Sequence, residues 1–130
     1  MNKSFSLYVD MHIVWPDITV LGEVIHDNGG KLFLAHPYKY SKEVNIEEML
    51  NSCRTYIDGI EVSNESENAD QVNYLYDYAI RNNLLISAGS DFHGSKGHNN
   101  LMVNYLSEEM EDRIEDWIPT VPGKVKILKK

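Results

Sequence analysis

The chain has 130 residues, enough for one domain of modest size, and its contents of 42% hydrophobic and 25% charged residues are ordinary for a globular protein. A formal net charge of −8 disfavours a broad nucleic-acid surface, which requires basic residues. This charge is compatible with a small phosphorylated substrate held by metal ions, because the metals supply the positive charge.

The cysteine content and the lengths of the apolar runs indicate a cellular compartment. Cys53 is the single cysteine, so no internal disulfide can form, and its helical apolar pattern favours a buried small side chain over a nucleophile. No apolar run approaches the roughly 18 residues of a membrane span, and residues 1–7 lack the apolar core of a signal peptide. We therefore expect a cytoplasmic protein with no membrane partner.

The chain opens with a predicted strand and a predicted helix. Residues 5–9 alternate apolar and polar side chains, as a half-buried strand does. Asp10-Met11-His12 follows, which we interpret as polar residues at a strand end rather than a metal-binding pair. The helix begins either with Pro16 in its first turn or with Asp17 as its cap. Its predicted core-facing stripe consists of Ile18, Leu21 and Ile25.

Residues 28–30 (NGG) predict the end of this helix, and His26 in its last turn is placed favourably against the helix dipole. The unbroken apolar run 31–35 is typical of a strand buried on both faces of a parallel sheet. His36 follows at the carboxyl end of that strand. This is the position at which α/β folds place their chemistry, so we interpret His36 as a candidate metal ligand.

A polar loop over residues 39–45 leads to a second helix, which Asn45 is expected to cap. The next predicted strand covers residues 58–62 and contains Glu61. A carboxylate in a short apolar strand is costly unless it is paired or hydrogen-bonded. Glu61 is therefore either a rim residue held by its neighbours or part of a site, and Asn64 ends the segment.

A third helix is predicted to begin within residues 66–70 and to end at Asn82-Asn83, and another strand follows over residues 84–86. After that strand come Asp91 and His93. Because they are two residues apart, both side chains leave the same face of an extended chain. A carboxylate beside an imidazole, among small residues, provides half of a metal site.

Beyond Gly94 the pattern is weaker. Residues 95–100 form a polar loop that could cover the site, with His98 as a candidate ligand or phosphate contact. Residues 101–106 are interpreted as a short strand, and an acidic helix begins at Ser107. We expect residues 118–130 to form a loosely ordered tail.

The alternation of strands and helices predicts an α/β fold of repeated βα units, with about four mostly parallel strands and flanking helices. The sequence contains no phosphate-binding glycine loop of the Walker or dinucleotide type and no serine in a nucleophile-elbow context. The chemistry is therefore expected to come from the residues at the strand ends.

Three motifs together resemble the PHP (polymerase and histidinol phosphatase) family: residues 29–37 (GGKLFLAHP), 58–62 (DGIEV) and 89–94 (GSDFHG). The likeness is greatest to the small PHP phosphoesterases that act on phosphorylated nucleosides and short oligonucleotides. The resemblance implies a distorted (βα)7 barrel with up to three metal ions at the carboxyl ends of its strands, and an activity that hydrolyses phosphate esters.

The resemblance also implies roles for individual residues. His36, Asp91 and His93 match metal-binding positions of the family, so that one divalent ion (Zn, Mn or Fe) is the most this chain is expected to hold. Glu61 matches the family's strand position. Relatives often carry a histidine near Asn64. Glu61, Asn64 and His98 are accordingly candidates for contacts to the substrate or to the ligands.

The family's opening His-x-His strand is not found in these 130 residues. The chain therefore resembles the carboxyl-terminal portion of a PHP domain, folded as a single domain over residues 1–130. A barrel left open in this way predicts self-association or pairing with a missing amino-terminal half. One hypothesis is a phosphoesterase that acts when that half is provided. The alternatives are a non-catalytic remnant serving as a metal-binding or interaction module, and an unrelated flavodoxin-like binding domain.

Overall fold

A computed structural model describes residues 16–41, 44–93 and 105–117. Within these ranges the chain forms four α-helices and a three-stranded parallel sheet of order β1–β2–β3. The elements in chain order are α1 (Ile18–Asp27), β1 (Phe33–Leu34), a 3₁₀ turn (Pro37–Lys39), α2 (Ile46–Cys53), β2 (Gly59–Ser63), α3 (Ala69–Arg81), β3 (Leu85–Ala88) and α4 (Glu108–Trp117).

The predicted α/β class with parallel βα units is confirmed for this part of the chain. The predicted strand 5–9, His98 and the predicted tail 118–130 lie outside the described residues. So do residues 101–104 of the predicted strand 101–106, and Tyr105 and Leu106 belong to no strand. No helix in the described ranges combines the length and the apolar character that crossing a membrane requires.

Short polar side chains fix where the helices begin. Asp17 caps α1, since its carboxylate accepts hydrogen bonds from the amide and hydroxyl of Thr19 at 2.9 and 2.7 Å. Asn45 caps α2 as predicted. Asn68 and Gln71 form a reciprocal capping box at the start of α3. These contacts satisfy amide groups that the first turn of a helix leaves without partners.

The core lies around the central strand β2. Ile60 and Val62 of that strand are fully buried, and the apolar face of α3 packs over them. Burial of each such side chain contributes about 1.5–3 kcal/mol. The cluster of buried apolar residues comprises Leu50, Ile57, Ile60, Val62, Val72, Leu75, Tyr78, Ala79, Ile86, Met110 and Ile114.

The first helix covers the core less than its sequence pattern predicts. Ile18 and Ile25 are half-buried, but Leu21 is 36% exposed, so its predicted place in the core-facing stripe is wrong. Gly22 is the residue of α1 that is buried. A methyl group on Gly22 would lie 3.4 Å from the Tyr56 carbonyl oxygen, an ordinary van der Waals contact, so this face of α1 packs against the segment that follows α2.

Aromatic side chains connect the two outer strands across β2. The ring of Phe33 lies over Gly59, where a methyl group would be 2.2 Å from a ring carbon. The same ring stacks on Trp117 with centroids 4.7 Å apart. The Trp117 indole N–H donates a hydrogen bond to the Ile86 carbonyl oxygen of β3 at 2.7 Å. α4 thereby protects part of a strand that has one sheet neighbour among the described residues.

The amino ends of β1 and β2 are held by hydrogen bonds to the Asp58 carboxylate. The Asp58 carboxylate accepts hydrogen bonds from His26 Nε2 at 2.7 Å and from the Leu32 amide at 2.6 Å. Partial burial acts to raise the pKa of Asp58. These two donors, together with the nearby charges of His26 and Lys31, outweigh burial and leave the pKa lowered.

Candidate functional site

The carboxyl ends of the three parallel strands place several polar residues along one edge of the sheet. His36 follows β1, Glu61 and Asn64 lie at the end of β2, and Asp91 follows β3. Pairing between β2 and β3 is irregular here: Glu61 is opposite Ser87, whereas Ser63 is opposite Ala88. One residue of β2 is therefore extra. Such bulges change the direction of side chains and are frequent beside functional sites.

His36 adopts a left-handed backbone conformation, with φ 33° and ψ 62°, and begins the 3₁₀ turn. This conformation is unfavourable for a side chain with a β-carbon by about 1–2 kcal/mol. The His36 amide donates a hydrogen bond to Glu61 Oε1 at 3.1 Å. The ring packs near Tyr40, and its Nδ1 atom is buried with no hydrogen-bond partner among the residues that the structure describes.

Glu61 is held by hydrogen bonds from its neighbours, and its place in a functional site stays a prediction. Its Oε1 atom accepts hydrogen bonds from the His36 amide and from Asn64 Nδ2, the latter at 3.2 Å. A methyl group placed on Gly89 would lie 3.3 Å from Glu61 Oε2. Gly89 therefore leaves room for this carboxylate, which positions the end of β1 against the end of β2.

Asn64 organises the loop between β2 and α3. Its side chain is fully buried, and its Oδ1 atom accepts hydrogen bonds from the amide and hydroxyl of Ser66, both at 2.7 Å. Its backbone amide donates to Glu67 Oε2 at 2.8 Å. Asn64 thus connects the carboxylates of Glu61 and Glu67.

Glu67 is a buried acid that the sequence reasoning missed. It is 3% exposed, and within the described ranges its Oε1 atom has no hydrogen-bond partner. Burial raises the pKa of Glu67 despite the amide hydrogen bond from Asn64, and the charge of Glu61 adds to the effect. The surrounding polar sequence, residues 63–70, resembles a solvated loop and does not predict a buried acid. The one sequence feature that relates to the observed contact is the spacing of three residues between Asn64 and Glu67.

Asp91 is paired with Lys39, a second residue that the sequence reasoning did not single out. Lys39 Nζ donates a hydrogen bond to Asp91 Oδ2. This bond is the main reason that the pKa of Asp91 is lowered and that of Lys39 is raised. Asp91 also has a left-handed backbone, with φ 53°, and its side chain is 17% exposed.

His93 lies beside Asp91, as the spacing of the two residues predicts, but not on a strand, because β3 ends at Ala88. Its Nδ1 atom donates to the Asp91 carbonyl oxygen and lies 3.7 Å from Asp91 Oδ1. The His93 side chain is 81% exposed. It is the most open of the three predicted ligands, and small rotations would change where its ring points.

The donor types fit a metal such as Zn or Mn, for which imidazole nitrogen and carboxylate oxygen are ordinary ligands. The atom that best fits this role is Nδ1 of His36, which finds no hydrogen-bond partner in the described part of the chain. His36 also lies close enough to Asp91 to contribute to lowering its pKa. Among the residues that the structure describes, no three His, Cys, Asp or Glu side chains are already arranged around a common point. The ligand set of His36, Asp91 and His93 stays a prediction.

No family model matches the chain, and no curated protein matches it. The assignment of a family and a reaction therefore depends on the sequence motifs and on the geometry of this edge of the sheet.

Proposed function

We propose that the chain is a PHP-type phosphoesterase segment that holds one divalent metal ion, Zn, Mn or Fe, through His36, Asp91 and His93. The proposed family reaction is hydrolysis of a phosphate ester in a nucleotide, an oligonucleotide or a small metabolite. The observation that carries the proposal is the buried Nδ1 of His36, which has no hydrogen-bond partner among the described residues and belongs to a left-handed residue just after β1.

A bound metal would supply a polarised phosphoryl oxygen and an acidified water. The chain's own residues prepare its place. Glu61 fixes the His36 backbone through the amide hydrogen bond, and Asn64 fixes Glu61 in turn. Lys39 contributes a positive charge beside Asp91. These contacts hold residues at the ends of β1, β2 and β3 close together. Supporting contacts of this kind orient the side chains that bind a metal.

Hydrolysis by two metals requires ions about 3.5–4 Å apart that bind the attacking and leaving oxygens together. The three proposed ligands serve one ion at most. We therefore propose that full activity needs further ligands from a second polypeptide segment, corresponding to the His-x-His half of the family. The exposed apolar side chains of α1, Val20 and Val24, are compatible with such pairing or with self-association.

A second candidate is a metal-binding or interaction module without catalysis. It is favoured by the state of two proposed ligands. Asp91 is engaged by Lys39, and His93 is largely exposed and bonded to the backbone of Asp91. Before a metal can bind, Asp91 must release Lys39 and the His93 ring must turn toward the metal. A site that needs these changes suits slow binding more readily than rapid turnover.

Metal titration by calorimetry, with Zn²⁺ and Mn²⁺, tests the site common to both candidates. We expect His36→Ala and Asp91→Ala each to weaken metal binding by about tenfold or more. His26→Ala is the matched control, because His26 also pairs with an aspartate but lies at the opposite end of the sheet. Unchanged metal affinity in both site variants would remove the proposed site.

Hydrolysis of p-nitrophenyl phosphate and of a short oligonucleotide separates the two candidates. The chain is assayed with Mn²⁺ alone and after mixing with the amino-terminal half of a full-length PHP relative. Activity that appears on mixing supports the phosphoesterase segment. Metal binding with no activity in either mixture supports the non-catalytic module. Activity of the chain alone at the rate of an intact relative would show that three ligands suffice.

A further inference from the structure

We propose that Lys39 is an exchangeable cation of this site. It holds the Asp91 carboxylate in the metal-free chain, and when a metal takes that carboxylate, its ammonium group is released to bind a phosphate oxygen. This inference rests on the proposed function and assigns the residue that recognises the phosphate group.

The first observation is the unequal accessibility of the two partners. The Lys39 side chain is 44% exposed, whereas that of Asp91 is 17% exposed. A lysine has a flexible four-carbon stem, so the ammonium group can move while the backbone stays in place. The Asp91 carboxylate has less freedom. When this pair is broken, we therefore expect the Lys39 ammonium group to move away and the Asp91 carboxylate to stay in place.

The second observation is the anchoring of Lys39 next to the proposed ligand His36. Lys39 is the last residue of the 3₁₀ turn, and its amide donates a hydrogen bond to the His36 carbonyl oxygen at 3.0 Å. The backbones of the two residues therefore move together. After release from Asp91, the ammonium group remains within reach of whatever His36 binds.

The third observation is the negative charge that surrounds Lys39. Its ammonium group donates a hydrogen bond to the Asp91 carboxylate, and the carboxylates of Glu61 and Glu67 lie near enough to add to the negative charge around it. Asp91, Glu61 and Glu67 together form an acidic corner of the site. In the absence of metal, the Lys39 ammonium group neutralises part of the negative charge of this corner. Because a divalent ion at Asp91 would neutralise the same corner, the two cations compete for one carboxylate.

The consequence for a ligand follows from charge. A phosphate group carries negative oxygens and would be repelled from this corner while Asp91, Glu61 and Glu67 dominate it. With Asp91 bound to a metal, the free ammonium group adds a second positive charge beside the ion. Lysine is a common phosphate contact in proteins, where it acts as a compact charge. Metal and phosphate should therefore bind with positive coupling that depends on Lys39.

Calorimetric titration with MnCl₂ tests the competition. We expect Lys39→Met to bind Mn²⁺ about two- to fivefold more tightly than the unaltered chain, since a partly exposed ion pair no longer has to be broken. Lys31→Met is the matched control, because Lys31 is an exposed lysine at the opposite end of the sheet. Its Mn²⁺ affinity should equal that of the unaltered chain. Lys39→Gln replaces Lys39→Met if circular dichroism shows that the latter is unfolded.

Titration with inorganic phosphate in the presence of Mn²⁺ tests the second role. We expect the unaltered chain and Lys39→Arg to bind phosphate about fivefold more tightly than Lys39→Met, because both retain a cation. Without metal, this difference should disappear.

The outcomes are distinguishable. If neither the unaltered chain nor Lys39→Met binds Mn²⁺, the proposed metal site is wrong, and the role of Lys39 is overturned with it. If both bind Mn²⁺ equally well, the metal site survives and the competition is overturned. Equal phosphate affinities of the unaltered chain and Lys39→Met with Mn²⁺ present would overturn the phosphate contact.

Discussion

The two ends of the parallel sheet use the same residue types in different ways. At the amino end, the Asp58 carboxylate accepts hydrogen bonds from His26 and from the Leu32 amide. At the carboxyl end, the Asp91 carboxylate contacts Lys39 and lies beside His93. Each end thus contains a histidine next to an aspartate, and residue type alone does not distinguish them.

The backbone and the buried atoms do distinguish them. Left-handed residues near the amino end are Gly29 and Asn83, which adopt this conformation readily. At the carboxyl end they include His36, for which it is unfavourable. Among residues 16–41, 44–93 and 105–117, the buried side-chain atoms without a hydrogen-bond partner are on His36 and Glu67, which also belong to the carboxyl end of the sheet.

Unfavourable conformations and unpartnered polar atoms lower stability, so a folded chain keeps them where they serve another purpose. The comparison supports our proposal that the carboxyl end binds a ligand, whereas the contacts at the amino end serve stability. Substitutions that are matched between the two ends can test this difference.

The largest effect on stability is expected for Asp58→Ala. Loss of the acceptor leaves the Leu32 amide and His26 without their partner, which should lower the free energy of unfolding by about 2 kcal/mol. Urea unfolding at neutral pH measures this. Asp58→Asn keeps an acceptor for the amide and should lose about half as much. A loss below about 0.5 kcal/mol for Asp58→Ala would contradict a stabilising role for this end.

The same carboxylate has a defined pH dependence. Because its folded-state pKa is lowered below 3.8, its ionised form stabilises the folded chain above that pH, and the contribution is lost as the pH falls through the folded-state pKa. The stability difference between the unaltered chain and Asp58→Asn should therefore shrink at acidic pH. A difference that stays constant across the acidic range would show that the charge of Asp58 contributes nothing.

A smaller effect of opposite sign is expected for Glu67→Gln at the carboxyl end. The amide keeps an acceptor for Asn64 and removes a buried charge, which should raise stability by about 1 kcal/mol at neutral pH. Burial raises the pKa of Glu67, so ionisation destabilises the folded chain as the pH rises above 4.5. The gain should accordingly be present at neutral pH and absent below 4.5.

Thermal unfolding at two pH values measures this, with Glu65→Gln in the same loop as the control. Equal stability of Glu67→Gln and the unaltered chain at neutral pH would mean that Glu67 is ionised without penalty.

The smallest change in stability is expected for Asp91→Asn. The Lys39 partner is well exposed, so the free energy of unfolding of the metal-free chain should change by no more than about 0.5 kcal/mol. Asp58→Asn is its matched partner at the other end and should cost more. A loss for Asp91→Asn as large as that for Asp58→Asn would make the two ends equivalent and remove the basis of the comparison.

Local rules predicted the frame of this fold well. Asp17 and Asn45 cap helices through contacts that reach two or three residues along the chain, so the sequence contains the whole interaction. The order of strands and helices likewise follows from apolar patterns within short segments. Leu21 departs from the predicted stripe because helical periodicity identifies a row of residues on the helix but does not indicate whether another element covers each of them.

The site was predicted less completely, because its contacts join distant segments. Lys39 and Asp91 are 52 residues apart, and the His36 amide and Glu61 are 25 residues apart. The positions of His36, Glu61 and Asp91 at or after strand ends do predict that they lie together, because the carboxyl ends of parallel strands meet at one edge of the sheet. Nothing in a polar stretch such as residues 39–45 or 63–70 identifies which charged side chain turns inward.

The hydrogen bond from Trp117 to Ile86 has a consequence for synthesis on the ribosome. Residues 33–88, which include all three described strands, are translated before α4 is complete. Until Trp117 emerges, the Ile86 carbonyl and the Phe33 ring lack the partner that α4 supplies. A nascent chain paused in this interval carries an open strand edge, which neighbouring chains can pair with. The rate at which the last helix is translated should therefore influence how much of the protein escapes aggregation.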